Sequence, residues 1–505
     1  MERTVRELVA EVGGVAVDGD LATRVTGVTL DSRKVRPGAL FAALPGGRQD
    51  GLAFVAAAVA AGSPAILASV SRVPESGGAA WISAPDPRRA FALVARNFYD
   101  RPDETLAVVG VTGTNGKTTV AHLVFEILRD SGLPCGLIGT VGHRIADREI
   151  AADRTTPEAS DLYRMLYEMK EQGCLNAVVE ISSHGLALER VWGLSVAVAI
   201  FTNLTRDHLD FHGTLDSYAA TKRRLFSERL RDDGTAIVGA DDPRSAMMLD
   251  AAPARARRLT FGFPEAADVR IEACHADLGG TNVTLRIPGG SDGGGSRSVT
   301  LRTLLPGRVG ALNIAAAVAA AVALGLDPER AAAAAARFPG VPGRFERVDR
   351  GQGFSVIVDY AHTDDALANV LATVREMGPR RVITVFGCGG DRDRTKRAPM
   401  GAAAIRSSDF VLLTSDNPRT EDPHRILADA EAGILSNPEA PGRYTVLPDR
   451  REAIYAAIAS AEPGDVVVIA GKGHETVQIL ADRTIPFDDR RVAAEALAVR
   501  IGRSA

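Results

Sequence analysis

The sequence predicts an α/β protein of three domains, and three observations carry that prediction. The chain has 505 residues, too many for one hydrophobic core, so it divides into units. From about residue 103 onward, apolar runs rich in β-formers alternate with helical stretches, the pattern of a parallel sheet covered on both faces. Six of those runs end in polar, mostly glycine-rich clusters: GTNGKTT, EISSHG, TNLTRDH, GCGGDRD, TSDNPRT and GKGHE. In open α/β sheets, ligands bind beyond the carboxyl ends of the strands. Clusters spread over two consecutive blocks therefore suggest a ligand held between two domains, although any one of them alone reads equally well as a strand-to-helix turn.

The elements follow in order. In residues 1–102 the opening MERTVRELVAEVGG reads as an amphipathic helix without the apolar core of a signal peptide. VTGVTLDSRKVRPGALFAALPG reads as strand, turn, strand, and SPAILAS as a further strand. In residues 103–340 the strands are ETLAVVGVTG, NAVVEISSHG, VAVAIFTNLT and GTAIVGADDP. They are followed by DVRIEACHADLGGTNVTLRIPGGSDGGGSRSVTLRTLLPG, which reads as antiparallel hairpins with a Gly/Ser-rich surface turn at the centre. In residues 341–505 the alternation returns with FSVIVDYAH, RVITVFGCGG, DFVLLTSDNP and DVVVIAGKGH.

Composition narrows the function classes. Hydrophobic residues make up 46% and charged residues 24% of the chain, ordinary values for a globular protein. A net charge of −4 with interspersed signs argues against nucleic acid as the principal partner. No charge-free apolar run reaches the ~18 residues of a membrane span. Cys135, Cys174, Cys274 and Cys388 lie far apart with no CxxC pair. That argues against a disulfide framework or zinc site and fits a reducing cytoplasm. Ala- and Arg-rich stretches such as AAAAAARF carry no functional reading.

The stretch VVGVTGTNGKTTVAHL, residues 108–123, is close to a phosphate-binding loop, G-x-x-x-x-G-K-[ST]. Gly116, Lys117 and Thr118 are in place, but the first glycine falls at Gly113, and Val111 stands where the usual spacing puts it. Residues 106–113 read as a strand. Val120, Leu123, Val124, Ile127 and Leu128 mark one face of a helix that ends near Gly132. Backbone N–H groups at such a helix start can cradle phosphates, Lys117 adds a charge, and the Thr118 hydroxyl can hold Mg2+. The loop alone leaves the nucleotide's task open.

With its displaced glycine, GTNGKTT resembles the ATP loop of the Mur ligase and folylpolyglutamate synthetase superfamily. Its members join an amino acid to a carboxylate through an acyl phosphate. EISSHGL, TNLTRDHLDFHG, YAATKRRLF, ALNIAAA, VPGRFE, VDYAH, GCGGDRDRTKR, SDNPRTEDP and GKGHE follow in the family's order over essentially the whole chain, and together they resemble the Mur ligase family closely. The resemblance implies a UDP-sugar-binding domain over residues 1–102, a central ATP-binding P-loop domain over 103–340, and a C-terminal Rossmann-like, amino-acid-binding domain over 341–505. It implies UDP-muramoyl dipeptide, ATP and meso-diaminopimelate as substrates, no nucleic acid partner, a cytoplasmic location, and a chain acting as a monomer.

Residue by residue, the resemblance assigns ATP to Gly113, Thr114, Asn115, Gly116, Lys117, Thr118 and Thr119, with Asn313 on the adenine and Arg344 and Asp359 reaching the nucleotide from the third domain. Glu180 and His208 become ligands, with Thr118, of two Mg2+ ions; read alone, a Glu after a strand is more often a turn or cap residue. Lys222 becomes a lysine carbamylated by CO2 whose carboxylate helps hold the second ion. Read alone, beside Arg223 and Arg224, it looks like a solvated helix face. Leu30 and Ser32 match the uridine segment, an ordinary hairpin being the alternative. Thr155, Thr156, Ser182 and Arg190 match residues that hold the sugar peptide. Arg392, Asp416, Asn417, Pro418, Arg419, Gly471 and Glu475 form the amino-acid pocket. Arg419 suits the far carboxylate of meso-diaminopimelate, which lysine lacks, because a guanidinium grips a carboxylate with two parallel hydrogen bonds. Two departures stand out: Leu188 where the family often has Gln, and Asp364 after Thr363 where it usually has Pro. The rivals are the L-lysine-adding branch, a folylpolyglutamate synthetase and a P-loop regulatory protein. The last would not need Glu180, His208 and Lys222 together.

Overall fold

The computed structural model describes residues 1–46, 50–288 and 295–504. The Gly/Ser-rich centre expected as a surface turn falls mostly at residues 289–294, outside the described residues. Three large sheets organise the chain. The first has five strands in the order Ala16–Asp18, Ala80–Ser83, Ala65–Ala68, Ala39–Ala43, Gly27–Thr29. Gly27–Thr29 and Ala39–Ala43 pair parallel, Gly27 opposite Ala39, so the segment between them is a crossover and not a hairpin. Asp31 caps the tight turn Ser32–Lys34 inside it by accepting from the Arg33 N–H, which turns the chain back. The opening helix is only Val5–Leu8, boxed by Thr4 and Glu7. The longer helix expected there is cut short where Glu11 and Gly14 take positive φ.

The second sheet has eleven strands, with Ala107–Thr112 between Asn176–Glu180 and Val196–Phe201. Its central pairs are parallel, and Val111 lies opposite both Glu180 and Ile200. The three strand ends thus release their loops side by side. Val269–Asp277 joins the sheet parallel to Arg257–Gly262, and Gly280–Ile287 and Arg297–Thr303 extend it antiparallel, the hairpins read from the sequence. Helix Lys117–Asp130 packs on Gly307–Ala323. The second helix buries a row of alanines, Ala311, Ala315–Ala317 and Ala319–Ala321, and small side chains let neighbouring backbones come close. One apolar core runs continuously from Leu8 and Phe91 to Tyr163 and Phe226, so the first unit shares its core with the second.

The third sheet has six strands, with Ser355–Asp359, Val466–Ala470, Val382–Phe386 and Phe410–Leu413 adjacent and parallel. Leu367, Met400 and Ile434 pack on one face, and Ile454, Ile458 and Leu497 on the other. That is a doubly wound sheet. Among the described residues no helix is long and apolar enough to cross a membrane.

Candidate active site

The phosphate loop leaves the strand at Thr112 and enters the helix at Lys117. Gly113 has φ 149°, and a Cβ there would lie 1.9 Å from Thr202 Oγ1. This contact accounts for the displaced glycine: backbone and the neighbouring strand end meet here, so no side chain fits. Gly116 has φ 84°, and a Cβ would meet Asn313 Oδ1 at 2.6 Å. Asn313, the expected adenine contact, is thus buried against the loop itself. Thr202 Oγ1 donates to the Asn115 carbonyl at 2.6 Å, and Asn115 N–H to Asn203 Oδ1 at 2.9 Å. Thr114 N–H donates to the Asn203 carbonyl at 2.8 Å. Thr119 sits in the first turn of the helix.

Glu180 is fully buried. Its carboxylate accepts from Thr118 Oγ1 at 2.9 Å and from the Thr140 N–H at 2.8 Å, with Thr140 Oγ1 at 3.0 Å. Lys222 is 1% exposed, contrary to the solvated face its neighbours Arg223 and Arg224 suggest. Its Nζ donates to the Gly113 carbonyl at 2.7 Å and lies 4.3 Å from the Tyr218 ring centre. Desolvation, and then the nearby Lys117, hold its pKa well below the ordinary lysine value, so the neutral amine is favoured. Lys117, also lowered by burial, donates to the Gly113 and Thr114 carbonyls at 2.9 and 2.8 Å. His208 takes a left-handed conformation, φ 52°, with Nε2 3.3 Å from Asp207 and its ring edge-on to His184 at 4.8 Å. Burial brings its pKa to about 4, leaving a neutral imidazole at pH 7, the form that can ligate a metal.

On the same edge, Thr156 Oγ1 donates to the Glu180 carbonyl at 2.7 Å and accepts from the Ser182 N–H at 2.9 Å. Thr155 Oγ1 lies 3.0 Å from Thr140 Oγ1. Arg190 donates to the Thr156 carbonyl at 3.1 Å and pairs with Glu158 at 2.9 Å. These side chains form one connected patch beside Glu180. Leu30 packs against the core of the first unit, and Ser32 opens the turn capped by Asp31; neither lines either of the cavities described next. Leu188 offers its carbonyl to Arg88 at 3.4 Å.

Two cavities flank this edge. The smaller, about 360 Å³, lies between the second and third sheets. His184, Asp207 and His208 line it from one side, and Arg392, Asp416, Asn417, Arg419, Gly471 and Glu475 from the other. Of the expected amino-acid set, Pro418 alone does not line it. Its carbonyl would be 1.9 Å from a Cβ on Gly390, and it sets the close packing of two loops. Arg419, at φ 52°, donates to the Gly390 carbonyl at 2.7 Å. The larger cavity, about 620 Å³, runs from His122 and Glu126 to Arg344 and Arg347. The Arg344 guanidinium stacks 4.4 Å over the Tyr360 ring. Asp359 accepts from the Phe345 and Ala361 N–H groups, both at 2.7 Å, and burial raises its pKa. Gly343, just before Arg344, runs backbone to backbone against the GKGHE loop: a Cβ on it would lie 2.0 Å from the His474 nitrogen.

Four residues that sequence reasoning missed complete the arrangement. Thr140 gives Glu180 two of its contacts. Asp365, from the third unit, accepts from Thr205 Oγ1 at 2.8 Å and from Asn115 of the phosphate loop at 3.1 Å. Thr363 caps that helix by accepting from the Ala366 N–H, so Asp364 in place of Pro leaves an ordinary helix start. Buried Lys472 ties Asn417 to Glu475. Buried Arg450 pairs with Asp489 at 2.6 Å and donates to the Ala470 carbonyl, just before Gly471, at 3.0 Å. Sequence position gave no signal for the last two, because a lone Lys or Arg reads as solvated.

Three family profiles match the chain: "Mur ligase family, catalytic domain" over residues 24–99, "Mur ligase middle domain" over 111–321, and "Mur ligase, glutamate ligase domain" over 343–473. A protein of Solibacter usitatus named UDP-N-acetylmuramoyl-L-alanyl-D-glutamate--2,6-diaminopimelate ligase is 48% identical over 476 residues, 94% of each chain. A solved structure of a ligase bearing that same name is 34% identical, with a TM-score of 0.70, covering 99% of this chain and 100% of the other. A Mycobacterium tuberculosis folylpolyglutamate synthase complexed with ADP and AMPPCP, 19% identical with a TM-score of 0.58, covers 81% of this chain and 94% of its own and shares the fold.

Proposed function

The chain belongs to the Mur ligase family, and from that we propose that it joins meso-2,6-diaminopimelate to UDP-N-acetylmuramoyl-L-alanyl-D-glutamate, with ATP as co-substrate, in the synthesis of peptidoglycan precursors. The observation that carries the choice of amino acid is the smaller cavity. It sets Arg419 and Glu475, suited to a distal carboxylate and ammonium, across from His208 beside the phosphate loop. The domains are assigned as residues 1–102, 103–340 and 341–505, in a cytoplasmic monomer that takes small molecules only.

A carboxylate is a poor electrophile, and phosphorylation by the ATP γ-phosphate makes it an acyl phosphate that an amine can attack. Both steps build negative charge, which preorganised cations and donors stabilise. The loop from Gly113 to Thr119 holds the phosphates, and Lys117 is released from its own loop carbonyls to meet them. Arg344, Asp359 and Asn313 complete the nucleotide site. Thr156, Ser182 and Arg190, with Thr155, present the acceptor carboxylate beside Glu180; Leu30 and Ser32 hold the uridine end.

Thr118, Glu180, His208 and Lys222 are the donors we assign to two Mg2+ ions, which would neutralise phosphate charge. Among the described residues no group of three or more His, Cys, Asp or Glu side chains could hold an ion by itself. Lys222 would add an anionic ligand to this set once its neutral amine adds to CO2, forming an N–C bond and releasing one proton, with waters and phosphate oxygens completing the coordination. The donors fit: a neutral imidazole, a buried carboxylate and an amine already stripped of water.

The test is phosphate release with ATP, Mg2+ and candidate pairs. UDP-muramoyl dipeptide with meso-diaminopimelate is expected to give ADP and phosphate. Turnover with folate and glutamate instead would overturn the reading, as would AMP and pyrophosphate as products.

A further inference from the structure

Lys472 lies at the heart of the GKGHE loop and is 0% exposed. Its three ammonium protons each have an acceptor: Asn417 Oδ1 at 3.0 Å, Glu475 Oε2 at 3.0 Å and the Val477 carbonyl at 2.7 Å. A lysine ammonium has three donors and no more, so none is left for a ligand. The same lysine therefore fixes two pocket residues from two different loops. Asn417 Oδ1 accepts from Lys472 and from the Ile479 N–H at 3.0 Å, which turns its amide so that Nδ2 donates to Glu475 Oε2 at 2.7 Å. Glu475 Oε2 is thereby doubly bonded to protein. Among the described residues no hydrogen-bond donor reaches Oε1, and the side chain, 29% exposed, lines the smaller cavity.

We propose that Lys472 is a positioning and specificity residue: it saturates one oxygen of Glu475 and orients Asn417, leaving the other Glu475 oxygen to read the distal ammonium group of the amino acid. The inference rests on the proposed function, in which Glu475 faces that ammonium. Lys472 touches no substrate in this arrangement. It acts by holding a flexible glutamate in one rotamer, which removes the side-chain freedom that binding would otherwise have to freeze. It also pairs the Glu475 charge at 3.0 Å, in a cavity that Asp416 lines as well and where unpaired like charges are costly.

The test compares meso-diaminopimelate with 2-aminopimelate, the same chain without the distal amine, in the wild type, Glu475→Gln, Lys472→Met and Lys472→Gln. The ratio of kcat/KM values for the two amino acids is the readout. The wild type is expected to favour diaminopimelate by about tenfold or more, the scale of a hydrogen bond to a charged group. Lys472→Met should bring the ratio near that of Glu475→Gln, by raising KM for diaminopimelate, while KM for ATP stays within about twofold. Lys472→Gln, which keeps a donor but not the charge, should fall between Lys472→Met and the wild type. If Glu475→Gln loses the preference and both Lys472 variants keep it, the inference fails alone. If Glu475→Gln also keeps it, the reading of Glu475 fails first and takes the inference with it. If neither Lys472 variant folds, as judged by a cooperative thermal transition, the lysine serves stability only and the proposal is overturned.

Discussion

Lys117 and Lys222 donate to a single oxygen, the Gly113 carbonyl, at 2.9 and 2.7 Å. Two ammonium groups on one acceptor, one buried and one half-buried, repel each other, and the arrangement favours losing a proton from one of them. Lys222 is the more deeply buried. A carbamate on it would turn the repulsion into attraction.

Lys222→Ala is therefore expected to lower kcat by at least about 10²-fold, the scale of losing a preorganised charge at a reacting site. Formate or acetate should restore part of the activity. Protein equilibrated with 13C-labelled CO2 should show one carbamate resonance that the variant lacks. Full activity of the unrescued variant would sink the assignment.

Gly113→Ala should cripple ATP binding while leaving the sheet intact. The added methyl meets Thr202 Oγ1 at 1.9 Å, and φ 149° suits glycine. Strain of this kind is on the order of 1–3 kcal/mol, felt at the loop. Nucleotide affinity by calorimetry should fall at least about tenfold; unchanged affinity would contradict the account of the displaced glycine.

Arg419→Ala should lose most activity with meso-diaminopimelate and much of the discrimination against L-lysine. Arg419 is half-buried and holds the Gly390 carbonyl, so leaving it without its anion costs roughly 2 kcal/mol, the low end for a buried pair, a preference of ~30-fold. The variant need not gain lysine activity, because removing a group does not build a lysine site. An unchanged ratio of kcat/KM values for the two amino acids would place Arg419 outside the pocket's chemistry.

His122 predicts acid sensitivity. Burial, with Arg144 and Arg344 nearby, lowers its pKa from 6.5 to about 4. Above pH 6.5 the folded and unfolded forms are both neutral there. As the pH falls from 6.5 to 4, the unfolded chain takes up a proton that the folded one refuses, so stability is lost, by up to about 3 kcal/mol. His122→Phe should flatten the decline of the unfolding midpoint over this window.

Asp365 bridges the third unit to Asn115 and Thr205, next to where phosphates would bring negative charge. Ligand binding should therefore shift the third unit relative to the other two. Small-angle scattering curves that coincide with and without all ligands would count against this.

Much of this was legible in the sequence, for definite physical reasons. The strands with continuous apolar runs, Ala107–Thr112, Asn176–Glu180 and Val466–Ala470, are buried on both faces, and such runs have no other stable setting. The clusters at their ends were legible because a strand end in a parallel sheet has few places to go. Pairing partners were harder to read. Gly27–Thr29 and Ala39–Ala43 suit a hairpin locally, and their parallel pairing depends on the strand Ala65–Ala68 lying beyond. Burial of single charges was not legible at all. Lys222, Lys472 and Arg450 look like solvent-facing residues in sequence, because what buries them comes from elements tens to hundreds of residues away.

Gly343 lies against the His474 backbone with no room for a methyl group, so the segment carrying Arg344 and the loop carrying Glu475 cannot shift independently. In the proposed function, one serves the nucleotide and the other the amino acid. Whatever factor ATP contributes to amino-acid affinity through this contact, the amino acid must return to ATP, since a coupling free energy is shared by both sites. The ratio of either affinity with and without the other ligand is then one and the same number, to which this contact between two glycine-lined backbones contributes.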